Sequence, residues 1–249
     1  MNLAQLNEVA PTLDLDALEN AHPRRILSWA ARSIDRLAIA SSFQSSGLVM
    51  LHMLQGIRTD LPVLFLETGF HFDETIAFRD QIAEMWDLNI VNLRGRHGSV
   101  LKQNLNHGPE LYRRNPDQCC FINKVEPLQR ALEEFDGWIS GLRRDQSKIR
   151  SKTPIAEDQE LLSGSDVLKI HPLANWTKTD VNRYLAEHDI PTHPLLELGY
   201  SSIGCAPCTS VTGTTEPDER AGRWQGFDKT ECGIHSIGSA KSLEKGAGG

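Results

Sequence analysis

The sequence predicts an α/β fold with a mostly parallel sheet flanked by helices, and two observations predict it. Five short apolar segments recur along the chain, and the stretches between them carry apolar residues at helical spacing. Short buried strands joined by helical crossovers are the signature of βαβ units. A helix through residues 21–34 (AHPRRILSWAARSI) leads into the first strand, 37–40 (LAIA). The second strand is 62–66 (PVLFL), and a helix from Asp73 (DETIAFRDQIAEMW) connects it to the third, 89–93 (NIVNL). A helix from Lys124 (KVEPLQRALEEF) precedes the fourth strand, 137–140 (GWIS), and the fifth is 167–171 (VLKIH). Thr177 and Asp180 form a capping pair for the last helix, KTDVNRYLAEHD from Lys178.

After Cys208 the texture changes. Ser, Thr, Gly, Pro and charge dominate from Thr209, and the end (SIGSAKSLEKGAGG) is low in complexity. Such a composition builds no core of its own, so the expected division is a globular domain, 1–208, and a mobile C-terminal tail, 209–249. The net charge of −7 disfavours nucleic acid and acidic membranes as partners. An anionic substrate must then be met by a local basic patch. No apolar run approaches the ~18 residues of a membrane span, and the start (MNLAQLNEVAPTLD) lacks the basic and apolar regions of a signal peptide. The expected location is the cytoplasm. The oligomeric state is open, a homo-oligomer included.

Five cysteines in a reducing compartment do not make a disulfide framework. Cys119 with Cys120, and Cys205 with Cys208, form two close pairs, while Cys232 stands alone. That pattern suggests a four-thiolate site and a separate reactive thiol. A CxxC is a common metal half-site. Adjacent cysteines serve one tetrahedral ion poorly, but they can each bind a different iron of a cubane. Buried free cysteines are the plainer alternative. Lys124, one helical turn after Cys120, can face an anionic cluster or simply be solvated.

Other segments gain meaning from position. Ser41, Ser42, Phe43, Gln44, Ser45, Ser46 and Gly47 follow the first strand. A hydroxyl-rich turn before a helix offers N–H and O–H donors to an anion, and serves equally as a helix cap. It is not a Walker A loop, because no Gly-Lys-Ser/Thr follows. Glu67, Thr68 and Gly69 close the second strand and alone read as a strand-to-turn junction. Arg143 and Arg144 follow the fourth strand, and Arg220 and Arg223 lie in the tail. Arginine suits bidentate contacts to phosphate or sulfate, although any one of them can be a surface residue. Cys232 and His235 sit in KTECGIH, where a nearby cation can raise the thiolate fraction. Alone, a tail cysteine is as often incidental as catalytic.

Together, SSFQSSG, LETGFHFDET, CCFINKVEPL, GLRRDQS, HPLANWTKTDV, IGCAPCT and KTECGIH resemble the iron–sulfur branch of the assimilatory sulfonucleotide reductases, the adenylyl-sulfate (APS) reductases. The resemblance covers almost the whole chain. It implies a PP-loop α/β domain and a 4Fe–4S cluster on Cys119, Cys120, Cys205 and Cys208. It also implies a nucleophile at Cys232 and a thioredoxin- or glutaredoxin-type reductant. By the same resemblance, Lys124, Arg143, Arg144, Arg220, Arg223 and His235 would offset the charge of adenosine 5′-phosphosulfate. Two departures stand out. The loop lacks the glycine pair of the ATP-cleaving branch, and Glu67 stands where many relatives show Asp. The competing readings are a reductase for the 3′-phosphorylated nucleotide (PAPS), a non-enzymatic iron–sulfur sensor, and an ATP-dependent nucleotidyl or tRNA-thiolating PP-loop enzyme.

Overall fold

A computed structural model describes residues 15–212 and 218–235. The expectations for the N-terminal stretch 1–14 and for 213–217 and 236–249 lie outside the described residues. Helix α1 (Leu15–Glu19) precedes α2 (Pro23–Ser33), which starts at Pro23 because proline suits a first helical turn and His22 Nδ1 caps the Arg24 N–H. Then follow β1 (Leu37–Ala40), α3 (Ser45–Gln55), β2 (Val63–Leu66), α4 (Asp73–Met85) and β3 (Ile90–Leu93). Next come α5 (Val100–His107), α6 (Leu111–Arg114), α7 (Pro116–Cys120), a π-helical turn (Phe121–Val125), α8 (Glu126–Leu132) and β4 (Gly137–Ile139). The chain ends its sheet with β5 (Ala156–Glu160) and β6 (Asp166–Ile170), followed by α9 (Lys178–Glu187), whose Thr177 and Asp180 make the expected capping box.

The six strands order as β3-β2-β1-β4-β6-β5, parallel except for β5, which pairs antiparallel with β6 at the edge. Sequence analysis missed β5 for a physical reason. Its residues read AEDQE, and only Gln159 is buried, so an edge strand held by backbone bonds carries no apolar signal. Gln159 is buried because its Oε1 accepts the Trp138 Nε1–H at 3.0 Å. The helix expected from Lys124 also differs: Lys124 lies in the π turn, and the regular helix starts at Glu126.

Apolar side chains alternate across the sheet. In β1, Leu37 and Ile39 join the larger core with Leu48, Met50, Phe65 and Ile170, whereas Ala38 joins Leu64, Leu128, Trp138 and Val167 on the other face. From β1 the chain moves outward to β2 on one side, and later returns to place β4 on the other. That reversal opens a crevice beyond the strands' carboxyl ends.

The described part of the segment assigned to a mobile tail is not free. Trp224 is 2% exposed, and its backbone N–H donates to Cys208 O at 3.1 Å. Arg223 bridges Thr209, and Lys229 pairs with Asp117 on α7. The segment builds no core of its own, as its composition requires, but it buries Trp224 against the domain. Residue 208 is therefore no break in packing.

His193 gives the fold a measurable acid sensitivity. It is fully buried; its Nδ1 accepts the Leu195 N–H at 3.2 Å, so Nε2 donates to Thr75 Oγ1 at 3.0 Å. Burial pushes its pKa down from 6.5 to about 4. Between those values the unfolded chain takes up a proton that the native ring refuses, so stability is full above pH 6.5 and falls as pH drops. This one ring should cost roughly 2 kcal/mol between pH 7.5 and 5. Urea unfolding of wild type and a His193→Gln variant checks it: the variant, less stable at pH 7.5, should lose less over that interval.

Candidate active site

A cavity of about 430 Å³ lies at the carboxyl ends of β1 and β4, within the range of small-molecule sites. The turn after β1 forms one wall. Phe43 takes a φ of +56°, its N–H donates to Ser41 Oγ at 3.1 Å, and its ring packs on Phe65 in the core. This turn aims the start of α3 into the cavity. Gln44 does not cap that helix with its side chain. It donates instead from Nε2 to Ser42 Oγ at 3.1 Å and accepts the Ile203 N–H at 3.0 Å. The first N–H groups of α3, at Ser45, Ser46 and Gly47, thus have no side-chain cap and face a space where an anion gains from the helix field. Gly47 keeps the turn tight: a Cβ there would meet Ser41 Oγ at 2.5 Å.

The opposite wall is basic. Arg143, 1% exposed, donates to Ser46 Oγ at 2.5 Å, Asp145 at 2.9 Å and Glu219 at 2.7 Å. Arg150, from the turn Lys148–Arg150, donates to Gln146 Oε1 at 2.6 Å and grips Glu231 through Nε at 2.9 Å and Nη2 at 2.7 Å. Arg223 comes close because residue 204 is glycine; a Cβ there would lie 2.0 Å from its Nη2. Four buried polar atoms of the lining have no protein partner: Arg220 Nε, Arg223 Nε, Ser140 Oγ and His235 Nδ1. Each costs about 1–3 kcal/mol if left unpaired, so together they describe a wall built for an acceptor-rich ligand. The His235 ring stacks on Trp138, centroids 6.3 Å apart. Burial first, then the Lys169 and Arg150 charges, push its pKa well below the ordinary value and keep it neutral.

Beside this cavity the four paired cysteines meet. Asn115 caps α7, Pro116 opens it, and Cys119 and Cys120 end it. Cys205 precedes the turn Ala206–Cys208 and Cys208 ends it, the turn being pinned by Ala206 N–H to Phe70 O at 2.7 Å. Burial, then the charges of Cys205 and Cys208, raise the Cys119 thiol to about 11, and burial raises Cys120 to about 12. At Cys205 burial is outweighed by Lys124, the Thr68 hydroxyl and Arg223, which together lower its pKa. Burial also opposes the Lys124 charge, but Cys205, Cys120 and Cys232 outweigh it and push the ammonium pKa up. Lys124 therefore stays charged between the sulfurs and the cavity it lines. Among the described residues no three His, Cys, Asp or Glu side chains converge on a single ion position. Cys119 feels the charges of Cys205 and Cys208, and Cys120 that of Cys205, so the two pairs lie within electrostatic reach of each other, and paired soft thiolates are the donor chemistry of an iron–sulfur site. Asn123 Nδ2 at 3.6 Å from Cys119 Sγ and Thr68 Oγ1 at 3.5 Å from Cys205 Sγ supply polar neighbours for such ligands.

Of the residues expected from sequence, Ser41, Ser42, Gln44, Ser45, Ser46, Lys124, Arg143, Arg220, Arg223, Cys205, Cys232 and His235 line the cavity. Others do not. Phe43 contributes its backbone bend, not its ring. Glu67, Thr68 and Gly69 line a smaller separate hollow, with Glu67 paired to Arg79 at 3.4 Å. Arg144 turns away and pairs with Glu19 at 2.5 Å, because extended backbone at Arg143 sends successive side chains to opposite sides. Sequence analysis missed Arg150, Gln146, Ser140 and Trp138. Arg150 follows exposed Lys148 and Ile149, and only its turn brings it inward. A paired measurement checks this: Arg143→Ala should weaken AMP binding by roughly 1–3 kcal/mol, whereas Arg144→Ala should leave the dissociation constant unchanged and lower thermal stability.

Fold and site define a nucleotide-binding α/β protein of the PP-loop type with a cysteine, Cys232, on the cavity wall. The family model of the phosphoadenosine phosphosulfate reductase domain matches residues 36–211. An adenosine 5′-phosphosulfate reductase of Streptomyces coelicolor is 42% identical over 219 residues, 88% of this chain and 90% of its own. The chain belongs to the phosphoadenosine phosphosulfate reductase family. A phosphoadenosine 5′-phosphosulfate reductase of Gloeobacter violaceus is 40% identical over 88% of this chain and 90% of its own. Among solved structures, a PAPS reductase from Candida auris in a phosphate complex aligns with a TM-score of 0.70 at 28% identity, covering 85% of this chain and 98% of its own. An FMN adenylyltransferase of Candida glabrata, 14% identical with a TM-score of 0.56 over 98% of this chain and 91% of its own, shares the fold alone. No helix among the described residues is long and apolar enough to cross a membrane.

Proposed function

We propose that the protein reduces adenosine 5′-phosphosulfate to sulfite and AMP through Cys232, as a step toward cysteine biosynthesis. The observation that carries this reading is the meeting of Cys232 with partnerless buried donors at Arg220 and Arg223, and with His235, in one nucleotide-sized cavity. The nucleotide's phosphosulfate takes those donors and the start of α3. The Cys232 thiolate attacks the sulfate sulfur; an S–S bond forms, the S–O bond to AMP breaks, and AMP leaves with the bonding pair. A thioredoxin- or glutaredoxin-type dithiol then attacks Cys232 Sγ, expels sulfite, and its second thiol resolves the mixed disulfide. Sulfur passes from the sulfate to the sulfite oxidation level, and the dithiol becomes a disulfide.

Cys119, Cys120, Cys205 and Cys208 would hold the 4Fe–4S cluster. When bound, it supplies a fixed charge beside Lys124, while both electrons come from thiols. Lys124, Arg220 and Arg223 offset the repulsion between thiolate and phosphosulfate. Because Cys232 is half-buried, the strap around it has to open before a protein dithiol can reach it, and this is the sense in which the tail is mobile. A reducing cytoplasm suits the free thiols.

Sulfite release with thioredoxin tests the reading directly, from APS and from PAPS. Release from APS at the higher kcat/KM supports it. A strong preference for PAPS would move the protein to the other substrate named among its relatives, and no sulfite from either would refute the reaction.

A further inference from the structure

The strap that carries Cys232 is fastened at graded points. Trp224 is buried beneath Arg220 and Arg223, whose guanidiniums lie 5.4 and 4.7 Å from its ring centroid. Lys229 pairs with Asp117 in the first turn of α7, the helix that ends in Cys119 and Cys120. On the far side of Cys232, Gly233 takes a φ of +89° and passes 3.2 Å (measured from an added Cβ) from Val125, and His235 stacks on Trp138. The last fastening before the nucleophile is Glu231. Its carboxylate receives both forks of Arg150, at 2.9 and 2.7 Å, and lies 3.4 Å from Arg220 Nη2. The same Arg220 Nη2 donates to Thr230 O at 3.2 Å. Arg150 and Glu231 side chains are 9% and 13% exposed, so the pair is largely shielded from the screening that makes surface ion pairs weak.

We propose that Glu231 is a positioning residue that seats the Cys232 thiol over the nucleotide cavity through its clamp on Arg150 and Arg220. A side chain one residue from the nucleophile that is held by three contacts to two arginines leaves the intervening backbone little freedom. A misplacement of about 1 Å at a reacting atom is enough to cost about 10²-fold in rate. The strap's other described carboxylates are engaged or exposed elsewhere: Glu219 lines the cavity and is held by Arg143 at 2.7 Å, Asp228 is exposed, and Asp218 is exposed and caps the Arg220 N–H at 2.8 Å.

Arg220 also makes the seating responsive. Its Nη2 holds the strap, while its Nε is buried and partnerless on a residue that lines the cavity. An anion that takes Nε braces the same planar guanidinium that grips Glu231 and Thr230. A nucleotide in the cavity should therefore tighten the seat of Cys232 without touching Glu231. This deepens the reading of Cys232 as nucleophile and rests on it for the rate effect, but the seating itself can be measured without any sulfonucleotide.

The test uses the full chain with its iron content restored, as wild type and as Glu231→Gln, which keeps shape and removes the charge. Two quantities are measured: the rate of Cys232 alkylation by iodoacetamide, read by mass spectrometry with and without AMP, and the single-turnover rate of Cys232 sulfonation by APS. The AMP dissociation constant and melting temperature are recorded beside them. In wild type, AMP should slow alkylation several-fold. In Glu231→Gln, alkylation should rise about tenfold, AMP should no longer slow it, and sulfonation should fall at least tenfold with AMP affinity within twofold of wild type. Glu231→Asp, which keeps the charge on a shorter arm, should fall between the two. Unchanged alkylation in both variants, or loss of AMP affinity in step with sulfonation, overturns the proposal. If Glu231→Gln fails to fold, the Asp variant and the AMP effect on wild type decide alone. Changed alkylation with no sulfonation in any variant, wild type included, would instead refute the reaction and leave the seating standing.

Discussion

Cys232→Ser should lower sulfite release by more than about 10³-fold, the scale on which loss of a nucleophile is felt, while AMP affinity and iron content stay close to wild type. Cys232 is half-buried on the cavity wall, in no disulfide, and acts on the charges of Lys124 and Cys120 without belonging to either cysteine pair in sequence. Its neighbours are fastened by their own contacts, Glu231 to Arg150 and His235 to Trp138, so an isosteric hydroxyl leaves the strap where it is. What changes is chemistry: a serine hydroxyl near neutral pH is a far weaker nucleophile than a thiolate, and nothing beside it serves as a general base. Neutral, buried His235 touches Trp138, and no bond joins it to residue 232. Isothermal calorimetry for AMP beside a sulfite assay checks both halves. Residual sulfite release within tenfold of wild type would move the nucleophile elsewhere.

Cys205→Ser should strip the protein of most of its iron, and with it the brown colour of a 4Fe–4S centre. Wild type should carry about four irons per chain, one per ligand of a Cys₄-bound cubane. Cys205 is the one of the four paired thiols whose pKa is lowered: Lys124, the Thr68 hydroxyl at 3.5 Å and Arg223 overcome its burial. Serine is a hard ligand whose hydroxyl gives up its proton far less readily than a thiol, so one corner of the cluster loses its anchor. The turn Ala206–Cys208 and its bond to Phe70 survive the change, which separates loss of iron from loss of fold. Iron analysis, visible absorption and far-UV circular dichroism are sufficient. A colourless wild type holding one zinc per chain would refute the cluster, and a Cys205→Ser protein with full iron would remove Cys205 from its ligands.

β1, β2 and β4 were legible because each is a run of apolar residues, and a strand buried on both faces needs no alternation to be seen. The edge strand β5 was not, since its polar side chains face water and its stability comes from bonds to β6 that have no sequence signature. The same contrast divides the site. The serines after β1 announced a donor-rich turn, and the sheet places that turn beside the end of β4. Sequence could pair neither Arg143 with Ser46, 97 residues apart, nor Arg150 with Glu231, 81 residues apart. Arg143 and Arg144 look alike in a string of letters, yet one backbone step sends the first into the cavity and the second to Glu19. The polar texture after Cys208 suggested a free tail because composition reports what a segment can bury alone. Trp224, with three cationic side chains within 5.5 Å of its ring centroid, is buried against the domain instead.

The central claim is that sulfur is transferred to Cys232, and one measurement addresses it without a turnover assay. Wild-type protein incubated with APS, without any thiol reductant, should gain a single sulfonate, and peptide mass spectrometry should place it on the fragment containing Glu231, Cys232 and Gly233. Addition of a dithiol should remove it and release one equivalent of sulfite. A sulfonate found on Cys119, Cys120, Cys205 or Cys208, or sulfite formed with no adduct on any cysteine, would contradict the account.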